Sequence, residues 1–297
     1  MTDAALDTLL GPNGFYLPRG SSAVLLVHGL TGTPAEMRDF GRQLARQGLS
    51  VACPQLAGHC DSVAALKASR WEDWFDSVER CFEALAQRHA QVYVAGLSMG
   101  ALLCLVLASR QRTRVAGLAL LSPTFFYDGW NMPKLRQTLF LPLILYSPLR
   151  YVFAWQEPPP YGIKDERVRA MVTAVLQKRD SQAADKVGHF KTPATVIWQS
   201  RRLIRAARRC LPQVQQPTLI VHSTEDDMAS IRNAYLVRDE IGTREVETFF
   251  VDDCYHVLTL DKRKHEVAAR VAGFCHGARS ASEHLPQYLY PLHAKAA

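Results

Sequence analysis

Residues 92–110, VYVAGLSMGALLCLVLASR, carry no charge until Arg110. Val92–Ala95 is a short apolar run of β character, and Ser98 to Arg110 is a largely apolar helical one. Between them stands Gly96-Leu97-Ser98-Met99-Gly100, a G-x-S-x-G pattern at a strand-to-helix turn. The flanking glycines permit a turn too tight for side chains. Ser98 is thereby held at its tip with the hydroxyl exposed, and the helix that follows points its positive end at that hydroxyl.

The same alternation extends both ways. Strands are predicted over 23–27, 49–53, 115–121, 218–222 and 246–251, and helices over 34–47, 71–89, 231–241 and 262–275. Strands alternating with helices imply a parallel sheet covered on both faces. The alternation stops between Thr124 and Pro212, a basic, helical, proline-punctuated segment. This segment holds 15 Lys/Arg against 6 Asp/Glu, so it exceeds the +7 of the whole chain and leaves the rest slightly acidic. The division is a core of residues 1–123 and 213–275, an insertion over 124–212 and a loosely packed tail from residue 276.

The 297 residues are 48% apolar and 21% charged, which excludes a disordered or disulfide-stapled chain. The apolar runs are too short to span a bilayer, and no secretory signal is visible. The seven scattered cysteines form no CxxC pair, as in a reduced, cytoplasmic protein. No motif accompanies the basicity that would make nucleic acid the partner. With no HxH, HExxH, GxGxxG or P-loop, neither a metal nor any other cofactor is expected.

A serine hydroxyl needs a base, and the base an orienting acid. His256 follows the run 246–251, and Asp226 follows 218–222 in Glu225-Asp226-Asp227. The order Ser98, Asp226, His256 is that of a known hydrolase arrangement. Together with Val24–Met37 (VLLVHGLTGTPAEM), Val94–Ala101 (VAGLSMGA), Pro217–Ala229 (PTLIVHSTEDDMA) and Tyr255–Asp261 (YHVLTLD), it makes the chain resemble the α/β-hydrolase superfamily. Within that superfamily it is similar to small bacterial carboxylesterases and monoacylglycerol lipase-like enzymes, over residues 22–275.

The resemblance implies an α/β-hydrolase fold with a helical lid inserted after the sixth strand. It implies cleavage of a carboxylic ester through an acyl-enzyme on Ser98. Asp226 is in register with the family's acid, with Asp227 as the alternative. The backbone N–H groups of Leu30 and Met99 match the oxyanion hole. A thioesterase, lysophospholipase or acyltransferase would use the same residues, and a non-catalytic ligand-binding protein on this scaffold is the rival from another class. In Gly58-His59-Cys60, the cysteine replaces the second glycine of the family's loop. His28, His59 and His222 are read as structural or packing residues, and His265 as exposed.

The expected substrate is a small ester with an apolar acyl chain. Phe125, Phe126 and Tyr127 are candidates to line its pocket, or ordinary core. Leu135–Trp155 suits an acyl-pocket wall, an interfacial docking patch or the underside of a packed lid. Arg201, Arg205 and Arg208 share one helix face, either solvated or turned to an anionic ester or to anionic lipid headgroups, the latter at the inner membrane surface.

Overall fold

The computed structural model describes residues 3–131, 140–156, 158–177 and 191–277. A seven-stranded sheet runs β1 (Phe15–Leu17), β3 (Ser50–Cys53), β2 (Ser22–Val27), β4 (Gln91–Leu97), β5 (Val115–Leu121), β8 (Thr218–Ser223) and β9 (Val246–Val251). All neighbours are parallel except β1, which closes the edge antiparallel to β3.

The strand side chains alternate between two cores. In β2, Ala23, Leu25 and Val27 face one and Val24 and Leu26 the other. Both faces are therefore buried, which is why the strand reads as an unbroken apolar run. Helices α2 (Pro34–Arg46) and α10 (Lys264–Cys275) cover one face. The other is covered by α4 (Trp71–Ala86), α5 (Met99–Arg110), α8 (Ala194–Cys210) and α9 (Arg232–Glu240). Every residue of α5 from Met99 to Ser109 is buried, so its apolar character runs all round. Thr33 caps α2 by accepting the Ala35 N–H at 3.2 Å, with Pro34 at the first turn.

The short elements α1 (Asp3–Leu10), α3 (Val63–Ala68) and β1 escape the sequence reading, as does a two-stranded antiparallel pair inside the segment read as helical. Counted along this chain, the insertion leaves after the fifth strand and not the sixth. Only β1 precedes β2, so the sheet holds one strand fewer before the insertion than the resemblance implies.

Within the insertion lie α6 (Leu141–Leu145), α7 (Glu166–Gln177) and the antiparallel pair β6 (Ala154–Gln156) and β7 (Lys191–Pro193). Its second half is not a body apart: Val196, Leu203 and Ala207 of α8 belong to the same core as α5. Ile144 and Leu145 pack on Ala194, while Phe140, Leu143, Tyr146, Tyr151 and Val152 are exposed. Residues 135–139 of the predicted apolar stretch, and the tail beyond 277, lie outside the described residues. Among the described residues, no helix is long and apolar enough to cross a membrane.

At the end of β2 the His28 ring is fully buried. Its Nδ1–H donates to the Gly29 carbonyl (3.0 Å) and its Nε2 accepts the Leu56 N–H (3.3 Å). Burial lowers its pKa to about 4, so the ring stays neutral as both contacts require. An unfolded chain takes up this proton near pH 6.5 and the folded one only near 4. His28 stability is thus fully present above pH 6.5 and falls by about 3 kcal/mol as pH drops through that window. Urea unfolding at pH 7 and pH 4.5 checks this: the loss in stability will be smaller in His28→Asn than in the wild type.

Candidate active site

The turn at Ser98 is set by two glycines. A Cβ on Gly96 would lie 2.3 Å from the Gly100 carbonyl carbon, and one on Gly100 would lie 2.2 Å from the Val27 oxygen. Neither position tolerates a side chain. Ser98 itself sits at φ 56°, ψ −115°, a strained backbone for a non-glycine residue. Its N–H donates to the Leu121 carbonyl (2.8 Å), which fixes the turn to the neighbouring strand. The side chain is mostly buried, and its Oγ lies 3.1 Å from Thr124 Oγ1.

Leu30 follows β2 between Gly29 and Thr31, the latter at φ 59°. Glu36 Oε1 accepts the Gly29 N–H (3.0 Å), and the Gly29 carbonyl accepts the Gly32 N–H (3.2 Å). Among the described residues, the N–H groups of Leu30 and Met99 meet no protein acceptor. Two unspent donors flanking a serine hydroxyl could hold an anionic oxygen there.

Asp226 and His256 come from loops after β8 and β9, and both are buried. His256 Nδ1–H donates to Asp226 Oδ2 at 2.8 Å. The other carboxylate oxygen accepts the N–H groups of Met228 (2.9 Å) and Ala229 (2.8 Å). Burial alone would raise the Asp226 pKa. The His256 charge and hydrogen bond, with His222 and the Ala229 N–H, hold it below the usual carboxylate range. His222, read from sequence as packing, lies 3.4 Å from Asp226 Oδ2 while donating to the Ala229 carbonyl (2.8 Å).

The three adjacent acids point in three directions. Glu225 is half exposed and pairs with Lys164 (2.5 Å). Asp227 is buried, and its Oδ2 accepts the Gly162 N–H (3.3 Å). Burial raises the Asp227 pKa. Of the three, only Asp226 bonds the imidazole.

Sequence reading missed the support beneath His256. Asp261, 1% exposed, accepts the N–H groups of Lys164, Asp165, Tyr255 and Lys262 at 2.7–2.9 Å. Gly162, in the insertion, accepts the Val257 N–H (2.8 Å). Ser122 Oγ donates to the His256 carbonyl (3.0 Å). Only Asp261 carried a signal, as the last residue of the quoted YHVLTLD segment.

The remaining sequence candidates separate. Phe125 is buried in the core, while Phe126 and Tyr127 are half-buried beside it. Cys60 adopts φ 57°, the left-handed backbone that glycine favours, so the cysteine follows the glycine's path. His59 is buried edge-on to His28 and Trp74, and His265 is exposed, with a bond to Gln43 (2.8 Å). Cys254 is buried, its thiol pushed up to about 12 by burial. Arg205 and Arg208 bond Tyr146 (2.8 Å) and Glu240 (2.5 Å). Among the described residues, no three His, Cys, Asp or Glu side chains group as metal ligands.

The chain is 28% identical over 253 residues to a thermostable monoacylglycerol lipase of Bacillus sp. (strain H-257), covering 85% of this chain and 90% of that protein. It is 26% identical over 275 residues to a carboxylesterase of Bacillus subtilis (strain 168), covering 89% and 96%. The solved structure reported for LipS and LipT, two metagenome-derived lipolytic enzymes, superposes with a TM-score of 0.76 at 27% identity, covering 90% of this chain and 98% of that one. The model of the family described as serine aminopeptidase, S33, matches residues 19–263. With that match over most of its length, on this sheet and this turn at Ser98, the chain belongs to the S33 family of α/β-hydrolases.

Proposed function

We propose that the chain hydrolyses a carboxylic ester through an acyl-enzyme on Ser98. It is an ester hydrolase of the serine α/β-hydrolase type. The observation that supports the residue assignment is the 2.8 Å contact between His256 and Asp226, both buried, taken with the strained turn that holds Ser98.

In this reading Ser98 Oγ attacks the ester carbonyl and His256 Nε2 takes its proton. Asp226 fixes the tautomer with Nδ1–H and stabilises the imidazolium. The Leu30 and Met99 N–H groups hold the oxyanion. His256 then protonates the leaving alcohol, activates water and returns the proton to Ser98 as the acid departs. Phe126 and Tyr127, half-buried beside the core, line the acyl side, and the part of the insertion ahead of α8 acts as a lid. The apolar acyl preference is supported by the lipolytic relatives.

The exposed Phe140, Leu143, Tyr146, Tyr151 and Val152, with Arg150 over the Tyr151 ring (4.9 Å), support a second element of the reading. This aromatic, basic face docks on anionic lipid at the cytoplasmic membrane surface, where a poorly soluble ester would be met. The seven cysteines are all free thiols, as suits the cytoplasm.

Three outcomes are expected. Ser98→Ala will lose p-nitrophenyl ester turnover by a factor of about 10⁴ or more, together with labelling by a fluorophosphonate; retained turnover would remove Ser98 from the mechanism. Gly162→Ala places a Cβ 2.9 Å from Val257 Cγ2 and 3.1 Å from His256 Cβ. It will lower kcat about 10- to 100-fold with KM little changed, because the displaced group is the base. Vesicles containing phosphatidylserine will co-sediment with the wild type at low salt and far less with a Leu143→Ser, Tyr151→Ser, Val152→Ser variant. Equal sedimentation would dismiss the docking face.

A further inference from the structure

Thr124 lies just beyond the end of β5 and is 1% exposed. Its Oγ1 is 2.9 Å from the Ser122 carbonyl and 3.1 Å from Ser98 Oγ. A hydroxyl has one proton and two lone pairs, whereas a carbonyl only accepts. With the Thr124 proton on Ser122, the Ser98 hydroxyl is the donor in the pair at rest, and its proton turns from Thr124 to His256 Nε2 as acylation begins. The threonine oxygen thus has two acceptors within reach of its single proton.

Its position is fixed from both sides. Asn233 Oδ1 accepts the N–H groups of Phe125 and Phe126, each at 2.7 Å. Ser122 N–H donates to Val221 (2.8 Å), and Ser122 Oγ to the His256 carbonyl. A β-branched side chain has little χ1 freedom. The proton can therefore turn from the Ser122 carbonyl to Ser98 Oγ by rotation about one C–O bond, with no heavy atom displaced.

Resting on the ester-hydrolase reading, we infer that Thr124 is a further catalytic residue that acts in deacylation, donating a hydrogen bond to Ser98 Oγ as that oxygen leaves the acyl group. In acylation Ser98 Oγ is the nucleophile. A donor aimed at it would withdraw electron density, and the Thr124 proton is then held by Ser122. Once Ser98 is acylated, it has no proton to give, and Thr124 loses its donor. In deacylation a water oxygen bonds to the acyl carbon and its proton passes to His256 Nε2. The bond between the acyl carbon and Ser98 Oγ breaks, its electron pair stays on Oγ, and His256 returns the proton there. Thr124 stabilises the charge gathering on Oγ and keeps its own proton throughout.

Stopped-flow hydrolysis of a p-nitrophenyl ester, whose good leaving group makes acylation fast, tests this with Thr124→Val, Thr124→Ala and Thr124→Ser. In the Val and Ala variants, steady-state turnover is expected to fall about tenfold, the effect of one hydrogen bond. A burst approaching about one p-nitrophenolate per enzyme should appear at a rate within about twofold of the wild type. Fluorophosphonate labelling should stay at the wild-type rate, and the Ser variant should restore turnover. The inference is overturned by unchanged turnover in the Val and Ala variants, by a burst or labelling rate that falls in step with turnover, or by a Ser variant as slow as the Val one. A wild type that neither turns over esters nor labels would instead overturn the ester-hydrolase reading, a result distinct from a labelled, active wild type whose Thr124→Val variant is unimpaired.

Discussion

The contact on which the candidate site depends is one of backbone on backbone. Gly100, in the first turn of α5, lies so close to the end of β2 that a methyl group there would strike the Val27 carbonyl at 2.2 Å and the His28 carbonyl at 2.7 Å. The helix thus rests directly on the strand leading to Leu30, and Ser98 is left at the junction. The strained backbone at Ser98 costs on the order of 1–3 kcal/mol. Burial of α5 on every side offsets it, since that helix cannot shift without opening the core between β4, β5, α4 and α8.

The acid loop shows how direction, more than chemistry, divides labour among identical groups. Glu225, Asp226 and Asp227 are adjacent carboxylates. The first reaches out to Lys164, the second turns in to His256 and the third turns to the Gly162 backbone. Burial acts on both inner acids, but only Asp226 has enough donors around it for the charged form to win. Asp227 retains one carboxylate oxygen without a protein partner and is pushed the other way.

Local patterns carried most of the fold into the sequence. The apolar run of β5 predicted that strand to the residue, because a strand buried on both faces has few polar positions to blur its ends. The edge strand β9, with Glu247 and Thr248 inside it and mostly half-buried, was bounded to the residue as well. The turn at Ser98 was legible for a similar reason: glycines forced by close approach are written in the chain itself. Asp226 and His256 could be read from their places after strands. Thr124 and Gly162 could not, since their meaning comes from partners 26 and 65 positions away. Asp261 stood in a quoted segment without its role, which rests on Lys164 and Asp165, 97 and 96 positions off. The short β1, α1 and α3 lack the length for a period to emerge. The strand count before the insertion came out one too high because it was carried over from the resemblance and not from residues.

Asp261 gathers four N–H groups, two from the insertion and two from the segment bearing or following His256. That arrangement limits modular exchange. A chimera that took the insertion from a relative with a differently shaped crossing at 162–165 would leave a buried carboxylate short of two of its four donors. It would also remove the carbonyl that receives the Val257 N–H. Recombination points that respect this enzyme therefore lie inside the insertion, before residue 161 and after residue 165, so that the short crossing travels with the histidine loop and the acid loop as one inherited unit.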